Sequence, residues 1–149
     1  MNDTARTPPL DQSYYRAPYT AALARFFRKY ATFRGRASRS EYWWWMVTSW
    51  LVAVILNTAS GLVTGNWNVD TFRYILALSF HADLFAWAGV LFSLATVIPA
   101  LAVTWRRLHD TNHRGGWFFI AFIPVLGWIA LLVLTLTRPN TDGVRFDTD

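Results

Sequence analysis

Three long stretches of this chain contain no charged residue. There is no Lys, Arg, Asp or Glu between Glu41 and Asp70, between Asp83 and Arg106, or between Arg114 and Arg138. Each stretch is long enough for the roughly 20 apolar residues that cross a bilayer core as an α-helix. A chain of 149 residues has no room to bury three such stretches in a single soluble core. Only 15% of its residues are charged, against roughly 25% in soluble domains. In lipid every backbone N–H and C=O must be paired within the protein, which restricts spanning segments to helices or closed barrels. The expected fold class is therefore all-α: an integral membrane helical bundle of about three transmembrane helices, preceded by an amphipathic interfacial helix.

The formal net charge is +5. A basic balance suits nucleic acid or anionic headgroups alike. Here the basic residues flank the apolar stretches, so the phospholipid bilayer is the expected partner and nucleic acid is not. The chain has no cysteine, which excludes disulfides, thiol nucleophiles and cysteine-ligated metals. The first apolar run follows roughly forty polar and amphipathic residues, so the first membrane helix is expected to act as an uncleaved anchor.

Residues 1–18 carry Pro8, Pro9 and Pro18 with no apolar period and are expected to form a flexible tail. Over 19–33, Leu23, Phe26, Phe27 and Tyr30 recur at helical spacing while Arg25, Arg28 and Lys29 lie largely off that stripe. This is the pattern of a basic helix lying in the headgroup plane, or of one packing its aromatic stripe on membrane helices. Ser38 followed three residues later by Glu41, ahead of an apolar run, is a capping box that starts the first span near Arg39. The membrane domain is expected over 19–137, with spans at about 39–63, 84–105 and 117–137 and Pro99 kinking the second. Residues 72–80 are read as a short interfacial helix or an extension of that second span. A four-span arrangement would require two crossings between Tyr74 and Trp105, which is short for two spans and a turn. Residues 138–149 form a polar tail.

Arginine placement gives the orientation, because positive residues near membrane helices stay cytoplasmic. Arg6, Arg16, Arg25, Arg28, Lys29, Arg34, Arg36 and Arg39 precede the first span, and Arg106, Arg107 and Arg114 lie between the second and third. Arg73 alone lies between the first and second. The N-terminal segment is thus expected in the cytoplasm of a multi-pass inner-membrane protein. With three spans, the C-terminus would lie outside.

The segment Phe33-Arg34-Gly35-Arg36-Ala37-Ser38-Arg39-Ser40-Glu41-Tyr42-Trp43 resembles the F-x-G-R-x-S-R-x-E-Y-W motif of domain of unknown function 805, a family of small bacterial inner-membrane proteins. Arg106-Arg107-Leu108-His109-Asp110 resembles its R-R-L-H-D motif, and Gly116-Trp117 and Pro124-x-x-Gly127 are similar to pairs in its last span. The resemblance covers roughly Phe26 to Phe146. It implies an inner-membrane location and a helical architecture, and it carries no activity. The tail departs from the family's Gly-rich ending, with Val144 and Asp147 in place of an asparagine and a glycine.

The candidate site combines Arg34, Arg36, Arg39, Glu41, Arg106, Arg107, His109 and Asp110 on one membrane face. One reading has Glu41 and Asp110 neutralising arginines and locking the first two spans together. Another has the guanidinium groups holding phosphate or an anionic lipid headgroup. A third builds a metal or hydrolase site on His109, Asp110 and His113; the segment's place at a helix end disfavours it, and no catalytic residue or cofactor is expected. The function expected is that of a non-catalytic membrane component whose Arg-rich cytoplasmic face contacts anionic lipid or a partner protein. A transporter or channel subunit working as a homo-oligomer is the alternative.

Overall fold

The computed structural model describes residues 8–10, 12–65 and 84–147. The expectation for residues 72–80 lies outside them. Every element among the described residues is helical: α1 (Tyr19–Arg28), α2 (Arg39–Thr64), α3 (Leu84–Asp110), a 3-10 helix at Gly115–Phe122, α4 (Leu126–Leu136) and a second 3-10 helix at Thr141–Phe146. The chain divides into two compact units. One comprises the described residues of Met1–Trp45 and Pro99–Asp149, the other those of Met46–Ile98.

Two of these helices are long and apolar enough to cross a membrane: α2 with 26 residues and α3 with 27. At 1.5 Å per residue each extends about 40 Å, more than the ~30 Å hydrocarbon core. Many of their apolar side chains point outward. Trp50, Ile55, Leu62 and Val63 on α2, and Leu84, Leu91 and Leu94 on α3, are exposed, as lipid-facing helices require. Polar side chains in the Met46–Ile98 unit turn back on their own helix: Asn57 Nδ2 donates to Ala53 O at 2.7 Å, and Thr96 Oγ1 to Phe92 O at 2.7 Å. Such bonds pair polar groups within the helix that hydrocarbon could not satisfy. Within this unit Leu56 of α2 reaches over Gly89 of α3. Helix α2 ends where Gly65, at φ 70°, donates its N–H to Gly61 O, the left-handed termination that glycine favours.

Three expectations are revised in the larger unit. The helix expected over 19–33 stops at Arg28, and Lys29 at its C-cap donates its N–H back to Arg25 O. Its buried side is Ala22, Arg25 and Phe26, so Arg25 belongs to the packed face rather than the polar one. Phe26 stacks on Trp45 at 3.6 Å between ring centroids, while Phe27 stays exposed. Residues 8–10 and 12–18 do not behave as a loose tail. Their backbone is tied into the unit by the bonds described below. Finally, the apolar stretch at 117–137 is not one continuous helix. Pro124 has no N–H to continue a helix, and Val125 takes a positive φ of 64°. The segment breaks there into a 3-10 helix of 8 residues and an α-helix of 11.

Candidate functional site

The start of α2, the end of α3 and both chain ends meet in the larger unit, around two carboxylates. Glu41 is the first. The capping box read from the sequence is present: Ser38 N–H donates to Glu41 Oε2 at 2.9 Å, and Glu41 N–H donates to Ser38 Oγ at 3.2 Å. Glu41 Oε2 also accepts from Tyr14 N–H at 3.2 Å, and Oε1 accepts Arg25 Nε at 2.7 Å. A carboxylate in the first turn of a helix is also favoured by the helix dipole.

Arg25 and Glu41 are both almost fully buried. Arg25 directs its remaining N–H groups at the carbonyls of Pro8 (2.8 Å), Pro9 (3.1 Å) and Gln12. This binds the N-terminal segment to the lock. Ser38 Oγ donates to Tyr14 O at 2.6 Å, and Ala17 N–H donates to Ser40 Oγ at 2.8 Å, so the serines of the motif hold the same segment. The planar guanidinium suits this arrangement because it offers five donors in fixed directions.

Asp110 is the second carboxylate and is fully buried. It accepts Arg107 Nη1 at Oδ2 and the Tyr15 hydroxyl at Oδ1, the latter at 2.8 Å, with Arg36 Nη1 at 3.8 Å from Oδ1. Arg107 Nε and Nη2 donate to Thr135 O (3.0 Å) and Thr137 O, the carbonyls that end α4. These belong to the carbonyls that a helix C-terminus leaves without intrahelical partners. Arg36 in turn binds Asp147, Nε to Oδ2 at 2.9 Å and Nη2 to Oδ2 at 2.5 Å. The hydrogen bond to Asp147 raises the Arg36 guanidinium above its ordinary pKa, against the opposing effect of burial. Burial, then the hydrogen bond to Asp110, raises the Tyr15 phenol.

The C-terminal segment closes the cluster. Asn140 N–H donates to Asp110 O at 2.8 Å, and Gly35 N–H donates to Phe146 O at 3.0 Å. His109 Nδ1 lies 3.0 Å from Gly35 O, and its ring stacks on Phe146 at 4.1 Å. Gly143 is forced by close approach: an added Cβ would come within 2.6 Å of His109 O. Gly35 itself sits at φ 77°, a conformation glycine adopts without steric cost.

The candidate residues therefore separate. Arg36, Glu41, Arg107, His109 and Asp110 join the two locks. Arg106 is buried beside them, its Nε on Ala102 O at 3.1 Å and its backbone carbonyl accepting Ala37 N–H at 3.0 Å. Arg34 and Arg39 are exposed. Sequence reasoning missed Arg25, Tyr14, Tyr15, Phe146 and Asp147 as members. The Asp110 carboxylate faces two guanidinium groups and a hydroxyl, and the His113 ring lies 3.2 Å from Thr111 Oγ1. Among the described residues no cluster of His, Cys, Asp or Glu is arranged to hold a metal ion.

Long apolar helices with exposed apolar side chains, and buried ion pairs within the larger unit, are the features of an all-helical membrane protein. The chain belongs to the family described as protein of unknown function (DUF805), whose model matches residues 30–148. It is 33% identical over 122 residues to the inner membrane protein YhaI of Escherichia coli K12, covering 82% of this chain and 88% of that one. It is 26% identical over 122 residues to the inner membrane protein YhaH of the same organism, covering 82% and 89%. No solved structure matches it. The bacterial inner membrane is accordingly its place, and its relatives' names carry no activity.

Proposed function

We propose that this protein is a non-catalytic component of the bacterial inner membrane, with its N-terminal segment in the cytoplasm and its outer arginines on anionic lipid headgroups. The observation that carries this reading is the division of the arginines. Arg25, Arg106 and Arg107 are buried and turned inward, where they hold the fold. Arg39, Arg114 and Arg138 are exposed, and each stands at an end of an apolar segment: at the first residue of α2, before the first 3-10 helix and after α4. Arginines at such boundaries lie at headgroup depth. Near an anionic surface each contributes about 1 kcal/mol.

The test is native mass spectrometry of protein extracted from membranes containing phosphatidylglycerol. A triple variant, Arg39→Gln with Arg114→Gln and Arg138→Gln, is expected to lose most co-purified anionic lipid while keeping zwitterionic lipid. Equal retention of anionic lipid by the variant and the parent would refute the reading.

A further inference from the structure

The broken apolar segment at 115–137 enters and leaves at the same level. Gly115, its first residue, lies so tightly against the Trp105 indole that a Cβ there would fall inside the ring. At its other end, Thr135 O and Thr137 O accept the guanidinium of Arg107. Trp105 and Arg107 are two residues apart on one helix, about 3 Å in rise. A segment that crossed the bilayer would carry its far end some 30 Å away from its start.

The lengths agree with a return rather than a crossing. The 3-10 helix has 8 residues and α4 has 11. At about 2.0 and 1.5 Å per residue each arm reaches roughly 16 Å, about half the hydrocarbon core. The arms fold back on each other. Gly127 lies directly against Ile120 O, with no room for a side chain, and Trp128 Nε1 donates to Ala121 O at 3.0 Å. The bend is Pro124–Val125, where the backbone leaves helical geometry. Bend and arms are apolar and outward-facing: Phe122 is 76% exposed and Leu126 72%. The two mouths carry Arg114 and Arg138, both exposed.

We infer that residues 115–137 form a re-entrant hairpin that dips into one leaflet, with that leaflet's acyl chains covering its apolar tip, and that the C-terminal tail returns to the membrane face of the N-terminal segment. Irregular backbone at the Pro124 bend is tolerable in the membrane where its polar groups are paired within the protein: Ile123 N–H donates to Ile120 O, Gly127 N–H to Ile123 O and Trp128 Nε1 to Ala121 O. The C-terminus then shares a side with α1, whereas a third crossing would have placed it opposite. The tail's bonds to Gly35, Arg36 and Asp110 follow directly from that return. This inference fixes relative sidedness only, so it stands apart from the cytoplasmic orientation proposed above.

The chain has no cysteine, so single substitutions can be labelled cleanly. Thr20→Cys on α1, Asp142→Cys in the tail and Phe122→Cys near the hairpin bend would each be treated with a membrane-impermeant maleimide. Intact spheroplasts and inverted vesicles would be compared, with a C-terminal peptide tag probed by protease as a second measure of the tail. Thr20→Cys and Asp142→Cys should react in the same preparation, and Phe122→Cys should react in neither until detergent is added. Reaction of Asp142→Cys, or cleavage of the tag, in the preparation opposite to Thr20→Cys would overturn the hairpin. So would labelling of Phe122→Cys from the face opposite to Thr20→Cys. If Thr20→Cys and Asp142→Cys both react from the outer face, the hairpin holds and the cytoplasmic orientation fails.

Discussion

The two compact units of this protein handle polar groups differently. In the Met46–Ile98 unit, Ser49, Asn57, Thr64 and Thr96 bond to carbonyls three or four residues back on their own helices. The larger unit has such local bonds too, as from Thr104 to Ala100 O and Arg106 to Ala102 O, and adds bonds between distant residues, from Arg25 to Glu41, Tyr15 to Asp110 and Arg36 to Asp147. The first pattern is local to one helix. The second specifies one arrangement of four chain segments. Buried charge is costly unless every partner is present, so this unit carries structural specificity that the other does not need.

That contrast can be broken at its strongest point by Glu41→Ala. The substitution leaves the buried Arg25 guanidinium unpaired and removes the reciprocal cap of α2. A loss of about 3–5 kcal/mol is expected, measured as the midpoint of unfolding in detergent. Next in size is Gly143→Ala. Its Cβ would press on His109 O, and overpacking of this kind costs about 1–3 kcal/mol. Faster proteolytic clipping of the C-terminal segment should accompany the loss.

Tyr15→Phe is a smaller change, read best through pH. Below the ordinary phenol pKa near 10 both the folded and unfolded states hold the proton, and the contribution of Tyr15 is complete. Above it the unfolded state releases its proton first, because the folded-state value is raised. Stability should therefore fall as pH climbs from about 10 toward the folded value, and Tyr15→Phe should flatten that part of the curve. In the other unit, Thr96→Val removes a hydroxyl that serves only its own helix. A shift below about 0.6 kcal/mol is expected, and a larger one would blur the contrast between the units.

The legibility of the two units in the sequence follows the same division. Charge-free stretches announced α2 and α3, because a membrane span is a property of composition over one continuous segment. Ser38 and Glu41 announced the start of α2, because a capping box is complete within four residues. The partners of Glu41 and Asp110 were not legible in the same way. Arg25 and Tyr15 reach these carboxylates only after the N-terminal segment has folded back, and nothing local in Pro8–Pro9 or Tyr14–Tyr15 specifies that return. The third apolar stretch was misread as a continuous helix because hydropathy does not register the bend at Pro124–Val125. The arginines of the two motifs are expected as one cluster; Arg36 and Arg107 face Asp110, while Arg34 and Arg39 are exposed. Which arginines are buried and which exposed depends on contacts with the C-terminal segment more than one hundred residues away along the chain.

The most direct test is a double-mutant cycle on Arg25 and Glu41, using Arg25→Met, Glu41→Leu and the pair together. If buried arginines hold the larger unit together, each single variant loses several kcal/mol and the double variant recovers much of it. The coupling should lie near the upper end of the roughly 0.5–3 kcal/mol seen for contacting residues. Losses that simply add, within about 0.5 kcal/mol, would mean that the two side chains act independently, and the lock would not exist.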